Sequence, residues 1–446
     1  MKSALSRRRR DSELALGFLA VIIVVAGYIL VQLSKQLDLP PDLWVILAVM
    51  IGMLAVAHLG VRWFAPRADP TLLPLVALLN GLGFIMISRL DSHLARTQAV
   101  WTGIGVAAFV ATLAFVRRVR VLERYRYTFA LVGFLFLVLP LAPGIGQTIN
   151  GARLWVRIGS VNFEPNEVAK ILLVIFFAAY LADKRELLTT GSRRIGNMML
   201  PDPKHLLPLI LAWGFALLIM SGQGDLGSSM LFFAVFVGML YIATERSAYL
   251  VGAVALFAVA AVFAYNTVGH VQTRVSTWIN PWPVSQGKGY QLVQSLFAFG
   301  SGGFAGAGLG LGSPQKIPNA STDFVFSAIG EELGLIGTVA VIIAFLLLVG
   351  AGFRIALAAD RPFSKLFAAG LTALIGIQAF VIIGGVTRLI PLTGITLPFI
   401  SYGGSSLVAN FVLIALLLRI SDESVAEAEA EAQTAMVPQA SAGGAG

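Results

Sequence analysis

Glu167 and Lys170 stand three residues apart just after Pro165, at the head of a long apolar run. On a helix they share one face, about one turn in. Two readings stand for such a pair: a polar path or cavity wall, because ionisable groups at membrane depth are costly, or a salt bridge that only fastens two helices. Asp225, in the turn GQGDLGSS, reads either as the N-cap of a helix beginning at Leu226 or as part of a site. Asp323 lies where a Gly-rich segment gives way to another apolar run, with Ser327, Gly330 and Glu331 following at i+4, i+7 and i+8. Those offsets share a face if a helix starts there. A carboxylate at a water–lipid boundary beside a partly dry cavity has a raised pKa and can act as a general base; capping a helix is the competing role. The stretch LPFISYGGSS, residues 397–406, adds Ser401, Gly403, Gly404, Ser405 and Ser406, residue types that allow close helix contact and inter-helix hydrogen bonds.

Other chemistries are excluded. The chain has no Cys, which removes disulfides, thiolate metal sites and a Cys nucleophile. His58, His93, His205 and His270 show no metal-ligand spacing. The glycines of GSGGFAGAGLGLGS, residues 300–313, match neither a P-loop nor a strand-turn-helix dinucleotide fingerprint.

The elements that must position these residues are membrane helices. Of the 446 residues 57% are hydrophobic and 12% charged, about half the charge of a typical soluble protein. Apolar runs of spanning length fall near 14–33, 43–64, 71–88, 98–116, 127–142, 166–183, 206–221, 227–243, 247–266, 324–353, 364–387 and 397–418. The expected fold is therefore an all-α polytopic membrane protein of about twelve transmembrane helices, with a large loop, 267–323, between helices 9 and 10. With the amino terminus inside, 22 of the 32 Lys and Arg fall in cytoplasmic segments and nine outside, Lys170 lying within a span. That asymmetry is a positive-inside signal and places both termini in the cytoplasm. The net charge of +9 thus serves orientation and not nucleic-acid binding. Along the chain this gives a basic cytoplasmic segment 1–13, two spans within 14–66, a core over 67–420, and a mobile acidic, Ala-rich tail over 421–446 whose start through Glu427, Glu429 and Glu431 can be helical.

With this topology the polar clusters converge on the outer face: the segment 143–165 leading to Glu167 and Lys170, the turn at Asp225, the end of loop 267–323 at Asp323, and the start of the last span. They predict a cavity open toward the outer leaflet, lined by carboxylates, Lys170 and basic loop residues, and suited to an anionic lipid-linked substrate.

GARLWVRIGSVNFEPNEVAK, GQGDLGSS, STDFVFSAIGEELGLIG and LPFISYGGSS resemble, in order, the signature segments of the SEDS family, whose members include RodA, FtsW and SpoVE. The resemblance covers roughly residues 70–420, and the two additional amino-terminal spans lean it toward the elongation-type, RodA-like branch. It implies a peptidoglycan glycosyltransferase that polymerises lipid II at the outer face of the bacterial cytoplasmic membrane, beside a class B penicillin-binding protein transpeptidase. The family's essential Asp matches Asp323, and the Glu and Lys of its QPSE-x-x-K-like motif match Glu167 and Lys170. Two positions depart from the pattern: Ser321 stands where the family often has His, and Gln-Pro-Ser-Glu reads Glu164-Pro165-Asn166-Glu167.

On this resemblance Asp323 is the general base, the anomeric carbon inverts, and undecaprenyl pyrophosphate leaves. The charge on the pyrophosphate calls for Lys170, Arg153, Arg274 or a divalent cation, Mg or Mn, to which Asp323 is a possible ligand. Asp225, Glu331, Ser401 and Ser405 are expected to support the substrate site. Two rival readings are a lipid II flippase, which the intramembrane charges suit, and a non-catalytic scaffold for a transpeptidase.

Overall fold

The computed structural model describes residues 2–35, 43–149, 151–159, 161–189, 193–195, 198–200 and 203–436. In chain order its helices are α1 (Lys2–Lys35), α2 (Leu43–Phe64), α3 (Leu72–Leu90), α4 (Ser92–Phe115), α5 (Arg120–Arg124), α6 (Arg126–Val138), α7 (Pro165–Thr189), α8 (Pro203–Gly222), α9 (Leu226–Thr244), α10 (Ser247–Thr267), α11 (Gly269–Ile279), α12 (Tyr290–Gly302), α13 (Val325–Ala358), α14 (Pro362–Val386) and α15 (Gly404–Met436). Each of the twelve apolar runs falls on one of them. Among the described residues ten are long and apolar enough to cross a bilayer, with two shorter apolar helices at Arg126–Leu141 and Leu207–Gly222. The chain is a multi-pass membrane protein.

The helices begin where the sequence supplies start signals. Asp91 caps α4 by accepting from His93 and Leu94 N–H, Asp225 caps α9 by accepting from Ser228 N–H, and Pro362 sits in the first turn of α14. Packing centres on α7, which lies against α6, α9, α14 and α15, with Phe177, Phe232 and Phe367 wholly buried among them. By contrast α10 has no buried residue, so its apolar side chains meet lipid. Gly404 lets α15 approach α4: a Cβ there would fall 2.1 Å from the Trp101 ring.

Three features differ from the sequence expectation. First, residues 146–163 form a three-stranded antiparallel sheet, β1 (Gly146–Ile149), β2 (Ala152–Ile158) and β3 (Val161–Phe163). Arg153, Trp155 and Arg157 alternate there with Leu154, Val156 and Ile158, a period of two that suits a strand. A second hairpin joins β4 (Arg193–Ile195) and β5 (Met198–Leu200). Second, the first helix starts ahead of the apolar run, within the basic segment, and α1 runs unbroken from Lys2 through the first span. Third, the helical start of the tail reaches past Glu431, α15 continuing to Met436. Its Glu427 and Glu429 pair with Arg361 and Arg67, and Asp422 accepts from Arg67 N–H; residues 437–446 lie outside the described residues.

The long segment between α10 and α13 is also built. Its Gly-rich run inserts into a break in α13 at Gly334, whose φ of 62° and ψ of −159° no L side chain adopts readily. Ala307 and Gly308 N–H donate to Glu331 and Glu332 carbonyls, while Leu335 and Ile336 N–H donate to Gly303 and Phe304 carbonyls. These bonds satisfy backbone groups that the break would otherwise leave open in an apolar medium. A Cβ at Gly334 would fall 2.3 Å from Gly306 N. Gly334→Ala is therefore expected to cost about 3 kcal/mol or more and to lower the unfolding temperature in detergent. Gly350→Ala, in open space on the same helix, leaves it unchanged.

Candidate active site

Asp323 occupies the turn just before α13 and does not cap it: the N-cap residue is Phe324, and no side chain caps that end. The carboxylate is therefore not committed to a helix terminus. Two ties from the start of the last span hold its backbone. Ser401 Oγ donates to the Thr322 carbonyl at 2.5 Å, and Tyr402 N–H donates to the Ser321 carbonyl at 2.8 Å. Ser401 Oγ in turn accepts from Leu397 N–H at 2.9 Å.

Arg274, on α11, is the cation beside Asp323. Its Nη1 donates to the carbonyls of Leu392 and Thr393 at 3.0 and 2.7 Å. A Cβ placed on Gly394 would lie 3.6 Å from both Arg274 Nη2 and Asp323 Oδ2, so the two groups face one gap. Desolvation pushes the Asp323 carboxyl up to about 6, against the Thr322 hydrogen bond and the Arg274 charge, which lower it.

Across the gap lie the acids at the start of α7 and α9. Lys170 Nζ donates to Glu167 Oε1 at 2.9 Å, both side chains buried. Glu164 is within electrostatic range of Glu167, Asp225, Lys170 and Asp323. Desolvation, then the Glu167 and Asp225 charges, hold its carboxyl well above the ordinary value. Asp225 does cap α9, Oδ1 accepting from Ser228 N–H at 2.9 Å. It also senses Lys170 and Glu167, and burial raises its carboxyl. Asp225 Oδ2 and Thr393 Oγ1 are buried without a hydrogen-bond partner among the described residues. Ser405 Oγ accepts from Glu164 N–H at 2.9 Å, tying the head of α7 to the last span.

Two expected site residues stand elsewhere. The shared helix face of Asp323 and Glu331 requires a helix through both, but α13 begins only at Val325. Glu331 Oε1 accepts from Ser313 N–H at 2.7 Å, holding the Gly-rich loop. Arg153 Nη2 donates to the Ala142 carbonyl at 3.0 Å, while its Nε is buried without a hydrogen-bond partner among the described residues. Its backbone N–H donates to the Gln223 carbonyl, which docks β2 on the turn before Asp225. Glu164 was overlooked as a site residue, although a third acid three positions before Glu167 was visible. Thr393 and Gly394 were overlooked because nothing in an apolar loop marks them. Among the described residues no three His, Cys, Asp or Glu form a group that could hold a metal ion.

Residues 68–426 match the cell cycle protein family of FtsW, RodA and SpoVE. The chain belongs to this family. It is 45% identical over 424 residues to the peptidoglycan glycosyltransferase RodA of Mycobacterium tuberculosis, covering 93% of this chain and 90% of that one. A probable peptidoglycan glycosyltransferase FtsW of Geobacter metallireducens is 36% identical over 368 residues, covering 80% of this chain and 95% of the relative. RodA-like character follows from the higher identity and longer coverage. Among solved structures, a chain from a peptidoglycan synthase complex that coordinates polymerisation and crosslinking superposes with a TM-score of 0.66 at 28% identity, covering 80% of this chain and 98% of that one. The rod shape determining protein RodA of Thermus thermophilus gives 0.58 at 27% identity, covering 81% and 99%.

In this FtsW, RodA and SpoVE family member, Arg274 opposes the rise in the Asp323 pKa. Arg274→Gln removes that charge, so the carboxyl is expected to titrate above its present value of about 6. Infrared difference spectroscopy of the protonated carboxyl against pH, with Asp323→Asn to assign the band, reads the shift directly.

Proposed function

We propose that this chain is a peptidoglycan glycosyltransferase that joins lipid II units at the outer face of the cytoplasmic membrane, with Asp323 as general base. The observation that carries the reading is the uncapped, part-desolvated Asp323 facing a gap shared with Arg274. Asp323 accepts the proton of the acceptor sugar 4-hydroxyl as that oxygen bonds to the donor's anomeric carbon. The bond from that carbon to the pyrophosphate oxygen breaks, and undecaprenyl pyrophosphate departs. One base and no covalent intermediate give inversion, by the logic of inverting glycosidases. Arg274 and Lys170 are the cations facing the departing charge.

A divalent cation enters this reading as an ion shared with substrate. Magnesium takes one or two carboxylates and fills its remaining positions with phosphate oxygens and water. Asp323 would hold it, with Glu164, within electrostatic range, as the second carboxylate, and it would offset negative charge on the pyrophosphate. The positive-inside pattern supports cytoplasmic termini and an outward-facing site. The synthase-complex likeness supports a class B penicillin-binding protein as partner.

Wild-type protein with its transpeptidase partner, lipid II and Mg2+ in detergent is expected to form glycan polymer. Asp323→Ala lowers the rate by about 10²–10⁴, and the wild-type rate falls as pH drops through about 6 and the base is protonated. Lipid II scrambling in liposomes that persists in Asp323→Ala, without polymer from wild type, would establish the flippase instead.

The Glu167–Lys170 pair has its own test. The double exchange Glu167→Lys with Lys170→Glu preserves the pair and reverses its polarity toward Asp225 and Glu164. A stable, inserted but inactive protein is expected; recovered polymerisation would reduce the pair to a fastening.

A further inference from the structure

The connector between α4 and α6 carries uncommitted positive charge at the end of the bundle remote from Asp323. Its place is fixed by the far end of α15, where Arg419 donates to the Leu113 carbonyl and Val119 N–H donates to Glu423 Oε1 at 2.7 Å. Arg117, Arg118, Arg120 and Arg124 are all exposed, and none has a hydrogen-bond or ion-pair partner for its side chain among the described residues. Other basic groups at this end are engaged: Arg126 with Asp183, Arg354 with Asp69, Arg361 with Glu427 and Arg67 with Glu429. Glu123 is the one acid between Phe115 and Tyr127. The support beneath the four is built. Val119 and Leu122 are buried, and Val121 and Leu122 N–H donate to the Arg118 and Val119 carbonyls at 3.2 and 2.9 Å. α5 packs on α7 and α14. With Val119 and Leu122 turned inward, Arg120 and Arg124, at i and i+4, share the outer side.

We propose that this connector binds the phosphates of net-negative phospholipids, of the phosphatidylglycerol type, in the leaflet remote from Asp323. Three observations carry it. First, the depth is right. The span α4 ends at Phe115, 86% exposed, and α6 opens with Tyr127, 61% exposed; aromatic side chains at the ends of apolar helices mark the boundary of hydrocarbon and headgroups. Second, the apolar helix Arg126–Leu141 is about 24 Å long, short for a hydrocarbon core about 30 Å thick. Basic residues flanking a short span reach out to the headgroups. Third, the charge is unbalanced. Guanidinium groups match phosphate oxygens in charge and geometry, and an excess of them favours a lipid with net negative charge over a zwitterionic one, whose ammonium restores the repulsion. An acidic protein partner would have to strip lipid from Phe115 and Tyr127 to reach the same groups, whereas headgroups already lie against them. The bound lipids fix the depth of α6 and, through it, brace α7, which packs on α6 and carries Glu167 and Lys170 at its other end.

The test uses full-length protein in detergent, titrated with phosphatidylglycerol or with phosphatidylcholine of the same acyl chains and read by native mass spectrometry. Wild type is expected to retain phosphatidylglycerol about tenfold more strongly or better, less so as salt is raised. Replacing Arg117, Arg118, Arg120 and Arg124 together by Gln removes most of that preference, replacing them by Lys keeps it, and Lys316→Gln, an exposed cation in the segment leading to Asp323, leaves it unchanged. Wild-type protein in vesicles of phosphatidylglycerol carrying a photoreactive headgroup gives a reading independent of variant folding, with crosslinks expected between residues 115 and 127. Equal retention of the two lipids by wild type, a preference that survives the Gln variant, or crosslinks absent from residues 115–127 would each overturn the proposal. So would a poly-glutamate peptide that binds wild type as tightly in phosphatidylglycerol vesicles as in phosphatidylcholine ones, which would assign the arginines to an acidic protein instead.

Discussion

The site depends on how Asp323 is held without being neutralised. A carboxylate at the edge of the apolar layer is most simply stabilised by a direct ion pair, yet such a pair would pull its pKa down and spend its basicity. Here the fixing is done through backbone. Ser401 and Tyr402 grip the carbonyls of Thr322 and Ser321, so the side chain is positioned without being bonded by them. Arg274 supplies charge nearby, but its Nη1 is engaged by the Leu392 and Thr393 carbonyls. Desolvation therefore outweighs attraction, and the carboxyl settles near 6, where it is ionised at neutral pH and still a competent proton acceptor.

The surrounding polar groups follow a different rule. Glu332 is fully buried but meets Arg89 Nε at 3.0 Å and Gly310 N–H at 3.0 Å. Glu331 takes the Ser313 N–H at 2.7 Å. Such groups are satisfied because an unpaired polar atom in an apolar surround costs about 1–3 kcal/mol. Asp225 Oδ2 and Thr393 Oγ1, by contrast, are among the buried atoms that find no partner within the described residues, and both lie on segments that meet Arg274 or Lys170. A site for a polar ligand is where unsatisfied atoms are expected, since the ligand supplies the missing bonds.

Much of this was legible because lipid imposes simple rules on sequence. Spanning length, apolar runs and basic loops give the helices and point to one end of the bundle as the place where acids collect. Glu167 with Lys170 and Asp225 as a cap needed only helical spacing and turn chemistry. What local pattern does not carry is long-range contact. Glu331 shares a face with Asp323 only if one helix runs through both, but the helix starts at Val325 and the Glu331 side chain takes the Ser313 N–H of the inserted loop, a long-range contact that no local pattern encodes. Arg153 looked like a free loop cation because a strand docked on residue 223 cannot be foreseen from a 23-residue polar stretch. The tail was judged by composition, yet its acids find Arg67 and Arg361, basic residues contributed by distant turns.

Those tail contacts and the Asp323 ties share a helix. α15 begins beside Ser401 and Tyr402 and ends in ion pairs at the opposite end of the bundle. Arg419 Nη1 donates to the Phe64 carbonyl at 2.7 Å, and Asp69 N–H donates to Ser421 Oγ at 3.0 Å. The helix that precedes the core match, α2, and the one that closes it are thus joined at that end, while Gly404 against Trp101 sets α15 close to α4 at the other. A displacement of α15 along its axis would move residues 401 and 402, and with them the carbonyls on either side of Thr322. The anchoring at the basic end therefore bears on the geometry of a carboxylate a full membrane thickness away, because a helix is stiff along its length and its two ends are fixed to different partners.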